Sequence, residues 1–442
     1  MSYHAVYCRS RLADLLRSSP ITRAGAARLL WARAAAARNN PTRRLALLAR
    51  AAHVCPDRFG LAGLREAIRK ELERLSPQSV DWGAAGAGDA GRTDLPKAII
   101  LKPPVSPAEK GLLHIAFESQ WLRLLRSGQA ENVARRYDLL LGPSWSPPPD
   151  LALLLALKLW PGRLYTLLSN FEDAAAMRAL SERLAPVPLL ASSWVNPAAY
   201  QEHLGRPKDY DVVMLANFSR VKRHWLFFHT LRRLPRRYRV LLLGVPLDGR
   251  TEQTIRDEAR AFGVEGRFDL HVRPTRAEVA RGLARARVSL IFSRLEGSCI
   301  AVAESLFADT PVGLFRNARI GSRAFINAQT GRLLGRAGLA RQVERFVDEA
   351  DGYSPLFWAR ENISCYRSQE VLNRTLRDEA LSQGRPWTRD AVPMQNDTFP
   401  RYLSAETEAE MRPWNDDFTR RYGLRLGPAT LPDGTRLAQV AG

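Results

Sequence analysis

The chain of 442 residues is 45% hydrophobic and 25% charged, enough for two or three domains with buried cores and too mixed for a collagen-like, low-complexity or disordered polymer. Its 66 Lys and Arg exceed its 45 Asp and Glu by 21, but only seven of the 66 are Lys and the arginines run with Ala along the whole length; with no zinc-finger spacing, RNP-type aromatic strand or basic heptads beside it, this excess reads as compositional bias and not as a nucleic-acid footprint. Cys8, Cys55, Cys299 and Cys365 lie far apart without C-x-x-C spacing, which excludes a disulfide scaffold or zinc site and favours a reducing, cytoplasmic compartment, and no apolar run reaches the ~18 residues of a membrane span.

Residues 1–78 are predicted to be helical: Ala24–Ala37, Thr42–His53 and Leu61–Leu75 carry Leu, Ala and Ile at three- and four-residue spacing with Arg between them. The first fifty residues hold ten Arg against the single acid Asp14. The plain expectation is a helical layer packed on the main body; the alternative is a basic surface lying peripherally on an anionic membrane. Residues 79–96, with Gly83, Gly86, Gly88 and Gly91, read as a flexible joint. Gly86 to Gly91 spells G-x-G-x-x-G, but it neither leaves a strand nor opens a helix, so it is read as linker and not as a phosphate loop.

From Lys97 short apolar runs alternate with helical stretches. Ala98–Lys102, Leu112–Phe117, Tyr137–Leu141, Leu164–Ser169 and Val187–Ser192 form one series. Val212–Ala216, Val240–Leu243, Phe268–Val272, Val288–Phe292 and Val312–Phe315 form another. The reading is an α/β chain with two consecutive doubly wound, Rossmann-like domains, at 97–206 and 207–375, and a helical tail at 376–442.

The chemistry concentrates where the run ending at Phe292 meets Ser293-Arg-Leu-Glu296-Gly297-Ser298-Cys299-Ile-Ala-Val-Ala-Glu304. Glu296 stands on a strand-to-helix loop at the carboxyl edge of a parallel sheet, where ligands bind, and Gly297 lets backbone approach closely. The amides of Ser298, Cys299 and Ile300 open a helix and can seat phosphate. Glu304 lies two turns further on, where a carboxylate can accept both hydroxyls of a ribose.

This stretch resembles the E-x7-E signature of the family-4 (group 1) retaining glycosyltransferases, which have the GT-B fold. The resemblance implies two Rossmann-like domains facing across a cleft, with the sequence adding an N-terminal helical region. It implies that Glu296 contacts the transferred sugar and that Glu304 holds the nucleotide ribose. Val212-Val-Met-Leu-Ala-Asn217-Phe-Ser-Arg220-Val-Lys222-Arg223-His resembles the family's first strand of the second domain and the loop whose Arg and Lys grip the donor diphosphate. Lys222 takes the Lys position; Asn217 replaces the usual Arg, so the second cation must come from Arg220 or Arg223. Gly244, the segment around Val272 that would cradle the base, and Asn327-Ala-Gln-Thr330-Gly331 extend the resemblance over residues 211–335.

The implied activity is metal-independent, retaining transfer of a sugar from a nucleotide-sugar donor, which is a substrate and not a cofactor, to a glycan or lipid-linked acceptor. No cofactor, metal or nucleic-acid partner is expected. Asp209-Tyr-Asp211 spells D-x-D but precedes a strand in the wrong order of elements for metal use. The first domain is expected to receive the acceptor, with His114, Asn170 and Asp173 as strand-end candidates, His114 in Leu-Leu-His-Ile-Ala reading equally as a satisfied core histidine, and the final helices are expected to return onto it. The rival reading is a non-catalytic nucleotide-sugar or glycan binding relative, for which Asn217 is the motive.

Overall fold

A computed structural model of the chain describes residues 3–56, 60–88, 93–144, 148–396 and 400–427. Four helices come first: α1 (Tyr3–Ser18), α2 (Pro20–Ala36), α3 (Pro41–Val54) and α4 (Leu61–Arg74). Their boundaries follow from capping. Ser19 and Asn40 accept from the amides of Thr22 and Arg43, and Pro20 and Pro41 sit in the first turn, where a missing N–H costs nothing. α3 buries Leu45, Leu48 and Ala52 and packs against both α2 and α4. The segment read as a joint holds a helical turn, Trp82–Ala85, closed by Gly86 in the left-handed region, and the short strand β1 (Asp94–Leu95). Of the G-x-G-x-x-G match, Gly91 lies outside the described residues, and Gly86 ends a helix where a phosphate loop would begin one.

The chain divides into two compact units, neither contiguous in sequence. One comprises residues 17–191 with 368–442, the other residues 1–16 with 192–367. The first unit is built on a five-stranded sheet in the order β2-β3-β4-β5-β6 (Ala98–Lys102, Gly111–Ala116, Tyr137–Gly142, Leu164–Leu168, Leu184–Leu190). β3 to β6 run parallel and β2 pairs antiparallel to β3. Every residue of β3, β4 and β5 is buried, the mark of a sheet covered on both faces.

Residues after 367 complete this same unit. A hairpin of β13 (Met394–Asn396) and β14 (Pro400–Tyr402) lies against β2, and the Tyr402 hydroxyl donates to the carbonyl of Ile100 at 3.0 Å. The helix Ala405–Tyr422 packs on β2, and β15 (Arg425–Leu426) pairs in parallel with β1. A buried ion pair, Lys102 Nζ to Glu109 at 2.7 Å, is closed over by Trp387, whose ring lies 3.6 Å from the ammonium, and by the Thr388 amide and hydroxyl, both donating to Glu109. The tail therefore carries strand structure as well as the helix expected of it.

The second unit holds a six-stranded, all-parallel sheet in the order β12-β11-β10-β7-β8-β9 (Gly331–Leu334, Val312–Phe315, Ala286–Ile291, Tyr210–Leu215, Val240–Gly244, Asp269–Val272). The chain winds outward from β7 to β9, returns to the far side of β7 at β10, and winds outward again. β7 and β10 therefore flank the topological switch point, where loops at the carboxyl ends diverge and leave a crevice. The α/β class expected from the sequence, with parallel strands in both units, is the one observed.

The unit boundaries differ from the expected 206/207 and 375/376. The helical-turn segment Pro197–His203 lies against the helix Arg276–Ala284 of the second unit, so the division falls ahead of it. The long helix Cys365–Ser382 gives all but its first three residues to the first unit.

Candidate functional site at the switch point of the second sheet

Two loops leave the paired strands β7 and β10, and each carries one half of an ion pair. After β7, Asn217 turns its side-chain oxygen to the amide of Ser219 (3.1 Å), and the helical turn Arg220–Lys222 ends at Arg223 in the left-handed region. After β10 the chain runs through Glu296 to the helix Ile300–Phe307, which begins from Cys299, also left-handed at φ 50°. Lys222 Nζ donates to Glu296 Oε2 at 2.6 Å, with side-chain exposures of 14% and 13%.

Burial works against the Lys222 charge, but the Glu296 carboxylate, by its charge and its hydrogen bond, outweighs it and holds the ammonium above its ordinary pKa. The Cys299 thiol is pushed up by burial first and by the Glu296 charge second, so it stays protonated and is no nucleophile. The second oxygen of Glu296, Oε1, is buried without a hydrogen-bond partner among the described residues. The amides of Ser298, Cys299 and Ile300 reach no carbonyl either. A buried carboxylate oxygen and, a few residues on in the same loop, an open helix start offer an acceptor and a set of donors with no hydrogen-bond partner among the described residues.

The other expected residues fall around this pair with different degrees of freedom. Gly297 is buried, and its carbonyl accepts from Gly321 at 2.8 Å. The Ser298 hydroxyl is committed to Ser192, accepting its amide and donating to its hydroxyl, each at 2.6 Å. Only the Ser298 backbone can therefore serve a ligand. Glu304 sits within the helix and accepts from the Tyr200 hydroxyl at 3.3 Å. Gly244 ends β8 opposite Val272 of β9, packed so closely that a Cβ would collide with the Ala216 carbonyl and the Phe218 ring.

Arg220 does not join the ion pair. It is exposed on the helical turn, where its charge acts on Glu258, which is already paired with Arg250 at 2.5 Å. Arg223 does not join it either: its guanidinium turns to Asp14 of α1 (2.5 Å) and to the carbonyl of Phe292 (3.4 Å). Asp209 and Asp211 are likewise occupied, by Arg285 and by the amide of Arg239.

The three acceptor-side candidates belong to the other unit. Asn170 and Asp173 follow β5 as expected, the former accepting from the Glu172 amide. His114 corrects an expectation: it is mid-strand in β3, 1% exposed, bonded through Nδ1 to the Leu140 carbonyl at 2.8 Å, and burial lowers its pKa to about 4. In a sheet covered on both faces a mid-strand side chain has no route to a ligand, so His114 is a neutral core histidine.

Asp14 and Tyr200 escaped the sequence reading as site residues, and Arg223, offered there as the second cation, proves to be the partner of Asp14. Asp14 had a signal, as the lone acid among ten arginines; the Tyr200 contact had none. His224 is another: wholly buried beside Lys222 and Arg250, with neither ring nitrogen partnered among the described residues and its pKa lowered to about 3 by burial and those cations, it is neutral.

Residues 197–351 match the family model described as glycosyl transferases group 1. The matched segment contains both loops of the ion pair and the whole six-stranded sheet. No curated protein matches the chain. Among solved structures it resembles HepE of Anabaena in complex with UDP, at 13% identity over 60% of this chain and 78% of that one, TM-score 0.47. It also resembles sucrose-phosphate synthase of Thermosynechococcus elongatus, at 14% identity over 72% and 80%, TM-score 0.47. A third is TarM of S. aureus, at 11% identity over 55% of this chain and 50% of that one, TM-score 0.44.

Proposed function

We propose that this protein transfers a sugar from a nucleotide-sugar donor to a glycan or lipid-linked acceptor, with retention of the anomeric configuration and without a metal ion. The observation that carries the reading is the Lys222–Glu296 pair on the two strands of the switch point, with one Glu296 oxygen and three amides left over for a ligand. Cleaving a sugar–phosphate bond builds negative charge on the departing nucleoside diphosphate. An ammonium with two further N–H groups to offer, together with the amides before Ile300, stabilises that charge in place. Glu296 Oε1 is the acceptor for hydroxyls of the sugar being moved, and Glu304 for those of the ribose. Asn170 and Asp173 are the acceptor-side candidates that remain.

The match of residues 197–351 to group 1 glycosyl transferases supports the same reaction class. Peripheral attachment to an anionic membrane through the arginine-rich first fifty residues belongs to this reading as well; deleting them should abolish sedimentation with anionic vesicles.

The test is a thermal-shift panel of UDP-, GDP- and ADP-sugars on the intact chain, then transfer or hydrolysis of the stabilising donor, with the product anomer read by NMR. Stabilisation by none of them, or an inverted product, sinks the reading. A non-catalytic nucleotide-sugar binder is favoured by one observation, Asn217 turned onto Ser219 where the family presents a cation. That alternative predicts donor binding with a turnover that Glu296→Gln leaves at background.

A further inference from the structure

On another part of the second unit, α1, the helix His224–Leu231 and the helix Leu339–Asp348 line an open cavity of about 710 Å³. That is the volume of a small-molecule site. Arg11, Arg233, Arg336 and Arg341 line it, with Tyr7 and a single acid, Glu344. Lys222, Glu296 and Glu304 do not, so this is not the donor crevice.

Arginine is abundant everywhere in this chain, and a number of the arginines elsewhere sit in ion pairs. Arg69 pairs with Glu66 and Glu73, Arg260 with Asp257 and Glu265, and Arg420 and Arg421 with Asp417. In the cavity Arg336 shares Asp14 with Arg223, and Arg233 donates to His229, whose Nδ1 also accepts from the Tyr3 hydroxyl. Arg11 and Arg341 have no carboxylate partner among the described residues; Arg11 lies 5.9 Å from the centre of the Tyr7 ring. All four guanidinium groups are exposed to solvent around the hollow and, with Asp14 and Glu344 the acids beside them, leave it with an excess of positive charge that favours an anion. Their forked donors match the oxygens of phosphate better than those of any neutral group.

We propose that this cavity is a second binding site, for a ligand bearing phosphate groups. The inference does not rest on the glycosyl-transfer reading. Phosphate could come from a free phosphorylated metabolite or from a lipid headgroup, and Leu12, Leu15 and Leu16, exposed at 58%, 45% and 49% on the same helix as Arg11, would reach acyl chains in the second case.

Inorganic pyrophosphate, titrated calorimetrically into the full-length Lys222→Ala protein, separates this site from the donor crevice. Saturable binding is expected there, weakened at least tenfold when Arg11→Ala and Arg341→Ala are added. Binding lost with Lys222→Ala alone, or indifferent to the two arginines, overturns the proposal. If the triple variant is misfolded by circular dichroism, Arg341→Ala in the same background, an exposed change in the first turn of its helix, makes the comparison. Flotation with phosphatidylglycerol vesicles against phosphatidylcholine vesicles assigns the source. Flotation dependent on Arg11 and Arg341 indicates lipid, pyrophosphate binding without it indicates a soluble ligand, and neither overturns the site.

Discussion

Lys222 and Glu296 depend on each other because both are largely withdrawn from water. Removing either leaves the other charge uncompensated and takes away a ligand contact. Glu296→Gln is expected to lower sugar transfer by about 10²- to 10³-fold, the scale of losing one preorganised electrostatic contact, and Lys222→Ala by about as much. The measurement is kcat/KM on the donor that the thermal-shift panel selects, and undiminished turnover in Glu296→Gln would refute the assignment. Because the Lys222 pKa is raised in the folded protein, the stabilisation from this pair is complete below the ordinary lysine value of 10.5 and is lost only as pH rises through the higher folded value. No fall in activity below pH 10 should trace to Lys222. Gly244 marks the other constraint at this scale. Gly244→Ala should cost about 1–3 kcal/mol or more, since its Cβ meets backbone and not a side chain that can swing away; the midpoint of urea unfolding reads it. Glu296 and Lys222 were picked out in the sequence by their resemblance to the motifs of one family, and the structure brings the two together at 2.6 Å. His114 already lay inside the run read as Leu112–Phe117, and its place in the middle of β3 bears out the core-histidine reading of Leu-Leu-His-Ile-Ala over the acceptor-side one.

Among the elements, the core strands and the helical state of α1 were legible, but the partner of α1 was not. The runs Ala98–Lys102 and Val312–Phe315 coincide with their strands and the other eight start or end within three residues of theirs, because strands buried on both faces are continuous apolar runs bounded by polar loops; the edge strand β12 (Gly331–Leu334), with Arg332 inside it, was not read. α1 carries a face of Tyr, His and Arg and little aliphatic periodicity. Its anchors lie far away in sequence: Tyr3 and Tyr7 stack with His229, and Asp14 pairs with Arg223, 209 residues distant. Such a face takes its meaning only from its partner. Asp14 and Arg223 are 13% and 8% exposed, so Asp14→Asn strands a buried guanidinium and should destabilise the second unit by about 3–5 kcal/mol. The effect should appear as a lowered Tm, and because Arg223 directly follows Lys222, donor affinity should fall with it. A variant as stable as the parent would show that the pair is not formed in solution.

Over the whole molecule, the fold is interlaced: each unit borrows from a distant stretch of chain. Strand periodicity located both sheets but could not assign the tail, because β14, β15 and the helix Ala405–Tyr422 acquire their role only by covering a sheet laid down 300 residues earlier. Residues 17–191 expressed without 368–427 should be insoluble and recover when the two segments are expressed together; a soluble monomer with dispersed NMR resonances would contradict this. The buried Lys102–Glu109 pair under Trp387 and Thr388 ties the two segments and adds a pH dependence. Burial alone would raise the Glu109 pKa, but the hydrogen bonds from Lys102 and Thr388 bring it down to about 2. A depressed carboxylate stabilises fully above its unfolded value of 4.5, and that stability is lost as pH falls from 4.5 towards 2. Glu109→Gln should therefore flatten the acid limb of the Tm–pH curve while lowering Tm at neutrality.

A break in the polypeptide between Ser18 and Pro20 would sever a covalent link without removing what holds α1 in place. The stacked rings and the shared aspartate remain, so the clipped peptide should co-elute with the rest of the protein on gel filtration and dissociate only in denaturant. The two fragments would behave as a reconstitutable pair, with the peptide's off-rate a direct gauge of how firmly the Lys222 turn is clamped.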